Sequence, residues 1–147
     1  MQGSKPFRGR LNPEIWIIIG LCALAFVLNR HIVRPWVLEN VVSGPVTVVV
    51  NSLPNLVEAI VGTIWIAGIL LEIWRRVNCT TIYAVATVIA GLFVILSEVN
   101  WIRFRGPNVY DPNDLAASVL GLFLIYFLLA RFGIYYEREA ESESDDE

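Results

Sequence analysis

Four long blocks of apolar residues, separated by short polar segments, dominate the pattern of this 147-residue chain. Two of the blocks, residues 15–28 and 82–96, contain no charged residue. Such blocks are typical of helices in lipid, because about 20 apolar residues in helical form cross a hydrocarbon core of about 30 Å. The pattern therefore predicts an all-α integral membrane protein with four transmembrane helices, at about residues 13–31, 53–74, 80–101 and 114–134.

The segment between the first two predicted spans, residues 35–55, is predicted not to cross the membrane. Pro35, Gly44 and Pro45 interrupt it. Its Trp36 and alternating valines favour a position along the membrane interface or over the helix bundle.

The first span is short, since its fourteen uncharged residues cover only about 21 Å at roughly 1.5 Å per residue. Asn29 and Arg30 are therefore predicted to reach outward to complete it. A cleaved signal peptide is the competing interpretation of this block, because basic residues precede a short apolar stretch.

Composition supports the membrane assignment. The chain is 56% hydrophobic and 17% charged, against about 45–50% and about 25% for ordinary soluble domains. Residues 137–147 hold seven acidic residues against Arg138, whereas the rest of the chain has ten basic and seven acidic residues, or +3. We expect this acidic tail to be disordered, because it lacks large apolar residues. It follows a transmembrane domain at 13–136, which a cytoplasmic segment at 1–12 precedes.

Lysine and arginine residues are unequally divided between the two sides of the predicted membrane. Seven lie on the side of the termini and of the loop between the second and third spans, and four lie on the opposite side. Because cytoplasmic loops are enriched in these residues, both termini are predicted to be cytoplasmic. The expected location is the plasma membrane, which in a bacterium is the inner membrane. The basic residues form short clusters between apolar blocks, so nucleic acid is not an expected partner.

Residues that bind metals or catalyse reactions are sparse. Cys22 and Cys79 are predicted to be free thiols, because a spanning topology separates them by about 15 Å, too far for a disulfide. With His31 as the only histidine, the ligands for a metal site of Cys and His type are too few. Gly-rich phosphate loops, nucleophile elbows and HExxH motifs do not occur in the sequence. We therefore expect no metal, no cofactor and no enzymatic activity.

Ionisable residues near membrane depth are the candidates for function, because each is costly there. Glu58 is predicted about one turn inside the second span, Glu98 at the outer end of the third, and Asp114 at the N-cap of the fourth. With the preceding loop they form a predicted extracytoplasmic cluster, composed of Glu58, Glu98, Arg103, Arg105, Asp111 and Asp114. Two interpretations remain open: a salt-bridged network that ties the helix ends together, and a polar pocket for a head group, a glycan or a proton.

Small residues recur at helical spacing on three of the predicted helices, and such faces let helices approach closely in lipid. The predicted packing faces are Glu58, Gly62, Trp65, Ile69 and Glu72 on the second span, Ala84, Thr87, Gly91, Ile95 and Glu98 on the third, and Asp114, Ser118, Gly121 and Ile125 on the fourth.

The stretch from Ser97 to Gly121, SEVNWIRFRGPNVYDPNDLAASVLG, resembles the signature of the VanZ-like family of small bacterial membrane proteins. In that family a helix ends in Glu followed closely by Gln, a loop carries Arg, and Asp-x-x-Asp opens the last helix, followed by Asn and Gly. The matching residues here are Glu98, Arg105, Asp111, Asp114 and Gly121. Trp101 stands where Gln is usual and Ser118 where Asn is usual. The resemblance implies a function in the cell envelope.

The leading hypothesis is therefore a VanZ-like membrane protein whose extracytoplasmic cluster binds an envelope lipid or glycan. One alternative is an accessory or structural subunit of a larger membrane complex, with other membrane-protein subunits as partners besides lipids. A second alternative is a small proton-coupled transporter that uses Glu58 or Glu98.

Overall fold

The computed structural model describes residues 12–40, 44–74, 77–98 and 111–134, and the described chain is helical with short connections. Helix α1 (Pro13–Leu28) continues through a π-helical turn (Asn29–Val33) into α2 (Arg34–Asn40), and α3 (Pro45–Ile73), α4 (Cys79–Glu98) and α5 (Pro112–Phe132) follow. Four continuous helices among the described residues are long and apolar enough to cross a membrane: Pro13–Asn40, Pro45–Ile73, Cys79–Ser97 and Pro112–Phe132. The predicted all-α architecture with four transmembrane helices is confirmed. Residues 1–11 of the predicted N-terminal segment and the whole acidic tail lie outside the described residues.

The segment at 35–55, predicted not to cross the membrane, belongs instead to two candidate spanning helices, which end at Asn40 and begin at Pro45; residues 41–43 between them are not described and Gly44 is a bend. Gly44, at φ 147°, precedes α3 and Pro45 is its first residue. Proline is well suited to this position, because the N–H that it lacks would have no partner there. The proline therefore begins the second spanning helix eight residues earlier than the pattern predicts.

Pro35 lies just beyond a π-helical turn in the first spanning helix. The backbone N–H of Arg34 donates to the carbonyl of Asn29, five residues back, instead of four back as in an α-helix. A proline ring clashes with the carbonyl four residues before it, and a π turn widens the helix at that level. The wider turn explains how the first spanning helix runs through Pro35 to Asn40.

Pro54 lies inside α3 and has no N–H to donate to the carbonyl of Val50, four residues earlier. The side chain of Asn29 makes up this loss, because its Nδ2 donates to the Val50 carbonyl oxygen at 2.9 Å. Asn29 is 2% exposed, so it does not reach outward as predicted. A neighbouring helix that supplies the missing partner is how proline is tolerated in membrane helices.

Helix α3 is the centre of the bundle, with contacts to α1, α2, α4 and α5. It runs parallel to α5, since contacts between the two helices advance together: Ser118 lies at the Asn55 carbonyl and Gly121 lies at Leu56 and Ala59. The α5 packing face predicted from the sequence is confirmed from Ser118 through Gly121 to Ile125, all buried.

The packing face predicted for the second span is wrong. Trp65 and Ile69 are 69% and 55% exposed, and Glu58 and Glu72 are exposed as well. The face of α3 that meets α5 follows another helical stripe, formed by Ser52, Leu56, Ala59 and Thr63. The large apolar side chain of Trp65 lies on the outside of the bundle, where it can contact lipid.

On α4, the predicted face is confirmed only in part. Gly91 meets the Leu122 side chain, whose Cδ1 lies 3.3 Å from the position a Cβ would take on Gly91. The buried residues, however, are those of a neighbouring stripe, Ile82, Tyr83, Ala86 and Ala90, and Ile95 is 46% exposed.

The end of the bundle where α1 begins and α5 ends, here the Asn12 end, is joined by hydrogen bonds. Asn12 donates from Nδ2 to the Phe132 carbonyl and from its backbone N–H to the Ile134 carbonyl, both at 2.8 Å. Its Oδ1 accepts from the Glu14 N–H. The N–H of Ile134 in turn donates to the Tyr83 hydroxyl at 3.1 Å. Buried polar groups at this end are thus matched across three helices.

Candidate functional site

The opposite end of the bundle, where α2 and α4 end and α3 and α5 begin, is here the Asp114 end. Within the described residues, five buried side-chain oxygens have no hydrogen-bond partner, and all five lie at this end: Asn29 Oδ1, Thr47 Oγ1, Asn51 Oδ1, Ser52 Oγ and Asp114 Oδ1. Most buried polar atoms in proteins are hydrogen-bonded, and exceptions require an explanation such as a function or a bound group. The two ends of the bundle therefore differ in how their polar groups are satisfied.

Asp111, not Asp114, is the N-cap of α5, which corrects the sequence prediction. Asp111 Oδ1 accepts from the backbone N–H of Asn113 at 2.8 Å, and Pro112 is the first helical residue. A proline at that position is favoured, so the Asp-Pro pair begins the helix that the pattern placed two residues later. The carboxylate of Asp114 is consequently not occupied by capping and is available for another role.

Ser52 and Asp114 lie on facing stripes of the two parallel helices. Ser52 is one turn before Leu56 on α3, and Asp114 is one turn before Ser118 on α5. Ser118 is 2% exposed, and its Oγ lies 3.5 Å from the Asn55 carbonyl oxygen. Since these neighbours mark where α3 and α5 meet, the register of the helices places Ser52 and Asp114 at the same interface, one turn nearer its end.

Helix α4 ends at the same level. Ala59, Ala90 and Leu122 form one buried cluster between the three helices. From that level, Ser52 is seven residues away on α3, and Glu98 and Asp114 are eight residues away on α4 and α5. At a rise of about 1.5 Å per residue these positions lie about 10–12 Å along the bundle, which brings all three to within one helical turn in height.

The structure places Glu58 elsewhere. It precedes Ala59, which packs at the level of Leu122, and Leu122 is ten residues from either end of α5. Glu58 is exposed on the outer face of α3, halfway along the bundle and not one turn inside a span. It takes part in a hydrogen bond, an ion pair or another electrostatic interaction, so it is not an isolated charge.

Of the other predicted cluster residues, Arg103 and Arg105 lie outside the described residues, as does the side chain of Glu98. The structure thus brings together Asp111 and Asp114 with the end of α4, and it separates Glu58 from them. The salt-bridged network stays a prediction.

Four residues with unpartnered oxygens at the Asp114 end were not among the predicted site residues: Asn29, Thr47, Asn51 and Ser52. The last three fall in the segment that was predicted not to cross the membrane, where polar residues are ordinary. Their spacing contains a signal, since a helix that continued back through Pro54 would place Ser52 on one stripe with Leu56 and Ala59.

Comparison with protein-family models, with curated proteins and with solved structures finds no match for this chain. A function for this protein therefore has to be inferred from its fold and from the geometry of the Asp114 end. Cys22 and Cys79 are both free, as predicted. Among the described residues, no group of three or more His, Cys, Asp and Glu side chains is arranged to hold a metal ion.

Proposed function

We propose that this protein is a VanZ-like multi-pass membrane protein that binds the polar group of an envelope lipid or glycan at its Asp114 end. One observation carries the proposal: the buried oxygens without partners in the described chain all lie at that end. In a membrane such atoms have little access to bulk water, and each unsatisfied polar group is costly. A polar group bound between α3 and α5 would satisfy two of them, Ser52 Oγ and Asp114 Oδ1.

The position of these oxygens suits a group at the membrane surface. Helix α4 has 20 residues, or about 30 Å of length, which equals the hydrocarbon thickness of a bilayer. Asp114 and Ser52 lie at the height of its last residues, where a lipid presents its head group. We further propose that this end faces outward, with both termini in the cytoplasm of a bacterial cell.

The proposed orientation predicts the labelling of a native cysteine. Cys79 is exposed at the start of α4, on the Asn12 end, so a membrane-impermeant maleimide should not label it in intact cells and should label it after permeabilisation. Cys79→Ser should abolish that labelling, because Cys22 lies within a spanning helix. In the Cys79→Ser background, Glu39→Cys, at an exposed position on α2, should be labelled in intact cells. The opposite pattern for these two positions would reverse the orientation.

The proposed binding predicts that lipid retention depends on Asp114. Protein extracted in mild detergent should carry co-purifying lipid or glycolipid, measured by native mass spectrometry. Asp114→Asn and Ser52→Ala should each lower the bound fraction, because each removes an oxygen that the bound group contacts. We expect a loss of roughly tenfold or more for Asp114→Asn, because a hydrogen bond to a charged group contributes about 1.5–3 kcal/mol.

Glu39→Gln provides the matched control, since it removes a carboxylate at the same end from an exposed position on α2. It should leave the bound fraction unchanged. Equal retention by the wild type and both site variants would mean that these oxygens do not hold the ligand.

A further inference from the structure

The atoms left without partners between α3 and α5 restrict the chemistry of the group that binds there. Asp114 Oδ1 is a carboxylate oxygen and only accepts hydrogen bonds when ionised, and Ser52 Oγ accepts as readily as it donates. Ser52 is 5% exposed, so its hydroxyl has little access to solvent. The neighbouring Ser118 hydroxyl is 3.5 Å from the Asn55 carbonyl, a long contact that leaves its lone pairs available. The site is therefore rich in acceptors.

The described arginines at this end of the bundle do not lie on the side of α3 that carries Ser52. Arg30 and Arg34 are exposed on the helix that meets α3 through the bond from Asn29 to Val50. Val50 and Ser52 are two residues apart, which is about 200° around a helix. The face that carries Ser52 therefore points away from those arginines, and a carboxylate on the facing stripe repels anions such as phosphate.

We propose, on the basis of the binding function proposed above, that the group held between Asp114 and Ser52 is a primary ammonium. An ammonium carries a positive charge that complements the carboxylate and three N–H donors for the oxygens of Asp114, Ser52 and Ser118. A divalent ion such as calcium takes six or more oxygens, more than these side chains offer. Because the site lies at the height of lipid head groups, the ammonium comes from an aminophospholipid.

The test compares two lipids that share charge and acyl chains and differ in their donors. Phosphatidylethanolamine presents an ammonium with three N–H groups, whereas phosphatidylcholine presents a trimethylated nitrogen with none. Delipidated wild-type protein, titrated with each lipid and examined by native mass spectrometry and thermal unfolding, should prefer phosphatidylethanolamine by about tenfold, equivalent to about 1.4 kcal/mol. Asp114→Asn should abolish the preference, Ser52→Ala should reduce it, and Glu39→Gln should keep it. Circular dichroism identifies any variant that fails to fold.

The other outcomes separate this inference from the proposed function. Equal binding of the two lipids, with both lost in Asp114→Asn, would overturn the ammonium and retain lipid binding at this site. Stabilisation by free ethanolamine equal to that by the lipid would uphold the ammonium and replace the lipid by a soluble amine. If sodium chloride stabilises the protein more than choline chloride does, and both lipids bind equally, the oxygens would be assigned to a metal cation. No effect of any of these probes would overturn the ammonium, whereas the proposed function is decided separately by the retention of native lipid or glycolipid in the Asp114 and Ser52 variants.

Discussion

Replacing Gly121 with alanine is expected to destabilise the protein, although alanine is the better helix former. A Cβ at this position would lie 2.7 Å from the carbonyl oxygen of Leu56 and 3.3 Å from the Cβ of Ala59. The nearer atom belongs to a helical backbone, so it cannot turn aside as a flexible side chain would, and α3 and α5 must separate. Overpacking of this kind costs about 1–3 kcal/mol.

Gly62→Ala is the matched control, because no atom lies within 4 Å of the Cβ that it would add on α3. It should leave the free energy of unfolding unchanged or raise it by up to about 1 kcal/mol through helix propensity. Both variants can be compared with the wild type by unfolding in mixed micelles with increasing dodecyl sulfate. Equal stability of the two variants would show that α3 and α5 are not in close contact at Gly121.

Removing the amide of Asn29 is expected to have the second large effect. In Asn29→Leu the carbonyl of Val50 loses its donor, and a buried carbonyl without a partner costs about 1–3 kcal/mol. The same change removes Asn29 Oδ1, which has no partner in the described chain, so part of the cost is offset. A single variant therefore understates the value of the hydrogen bond.

A double-mutant cycle with Pro54→Ala isolates the contribution of the hydrogen bond from Asn29 to the Val50 carbonyl. Alanine restores an N–H four residues after Val50, so the carbonyl has a donor within its own helix and the Asn29 amide becomes redundant. We expect Asn29→Leu to cost less in the Pro54→Ala background, with a coupling free energy of about 0.5–2 kcal/mol measured by the same unfolding assay. Additive effects of the two substitutions would mean that Asn29 does not compensate for Pro54.

The number and kind of helices could be predicted from the sequence, because a long apolar block determines a spanning helix with little regard to its neighbours. The helix start at Pro13 could also be predicted, but the starts at Pro45 and Pro112 and the continuation of α3 through Pro54 could not. The effect of a proline depends on whether it stands at a helix start, as Pro45 and Pro112 do, or has a compensating partner elsewhere, as Pro54 has in Asn29. Such a partner is a tertiary contact, and one sequence does not reveal it.

The site was predictable to a similar extent. The Asp-x-x-Asp pattern located the start of α5, and Asp114 does lie on the face that α5 presents to α3. The predicted depth of Glu58 is wrong because the predicted span begins at residue 53, whereas the helix begins at Pro45. The prediction for the face of α3 is wrong because Gly62 suggests a contact there, whereas the buried stripe contains Ser52 and Thr63, which are 5% and 0% exposed.

The π-helical turn after α1 also decides which residue of α2 packs inward. Ile15, Cys22 and Asn29 recur every seven residues along the side of the helix that packs inward, and the next position in this heptad register is Trp36. The turn adds one residue, which rotates everything after it by about 100°. Val37 consequently takes the inner position at 1% exposure and Trp36 points outward at 60%. A one-residue change of register thus places a valine, and not the larger indole, against the rest of the bundle.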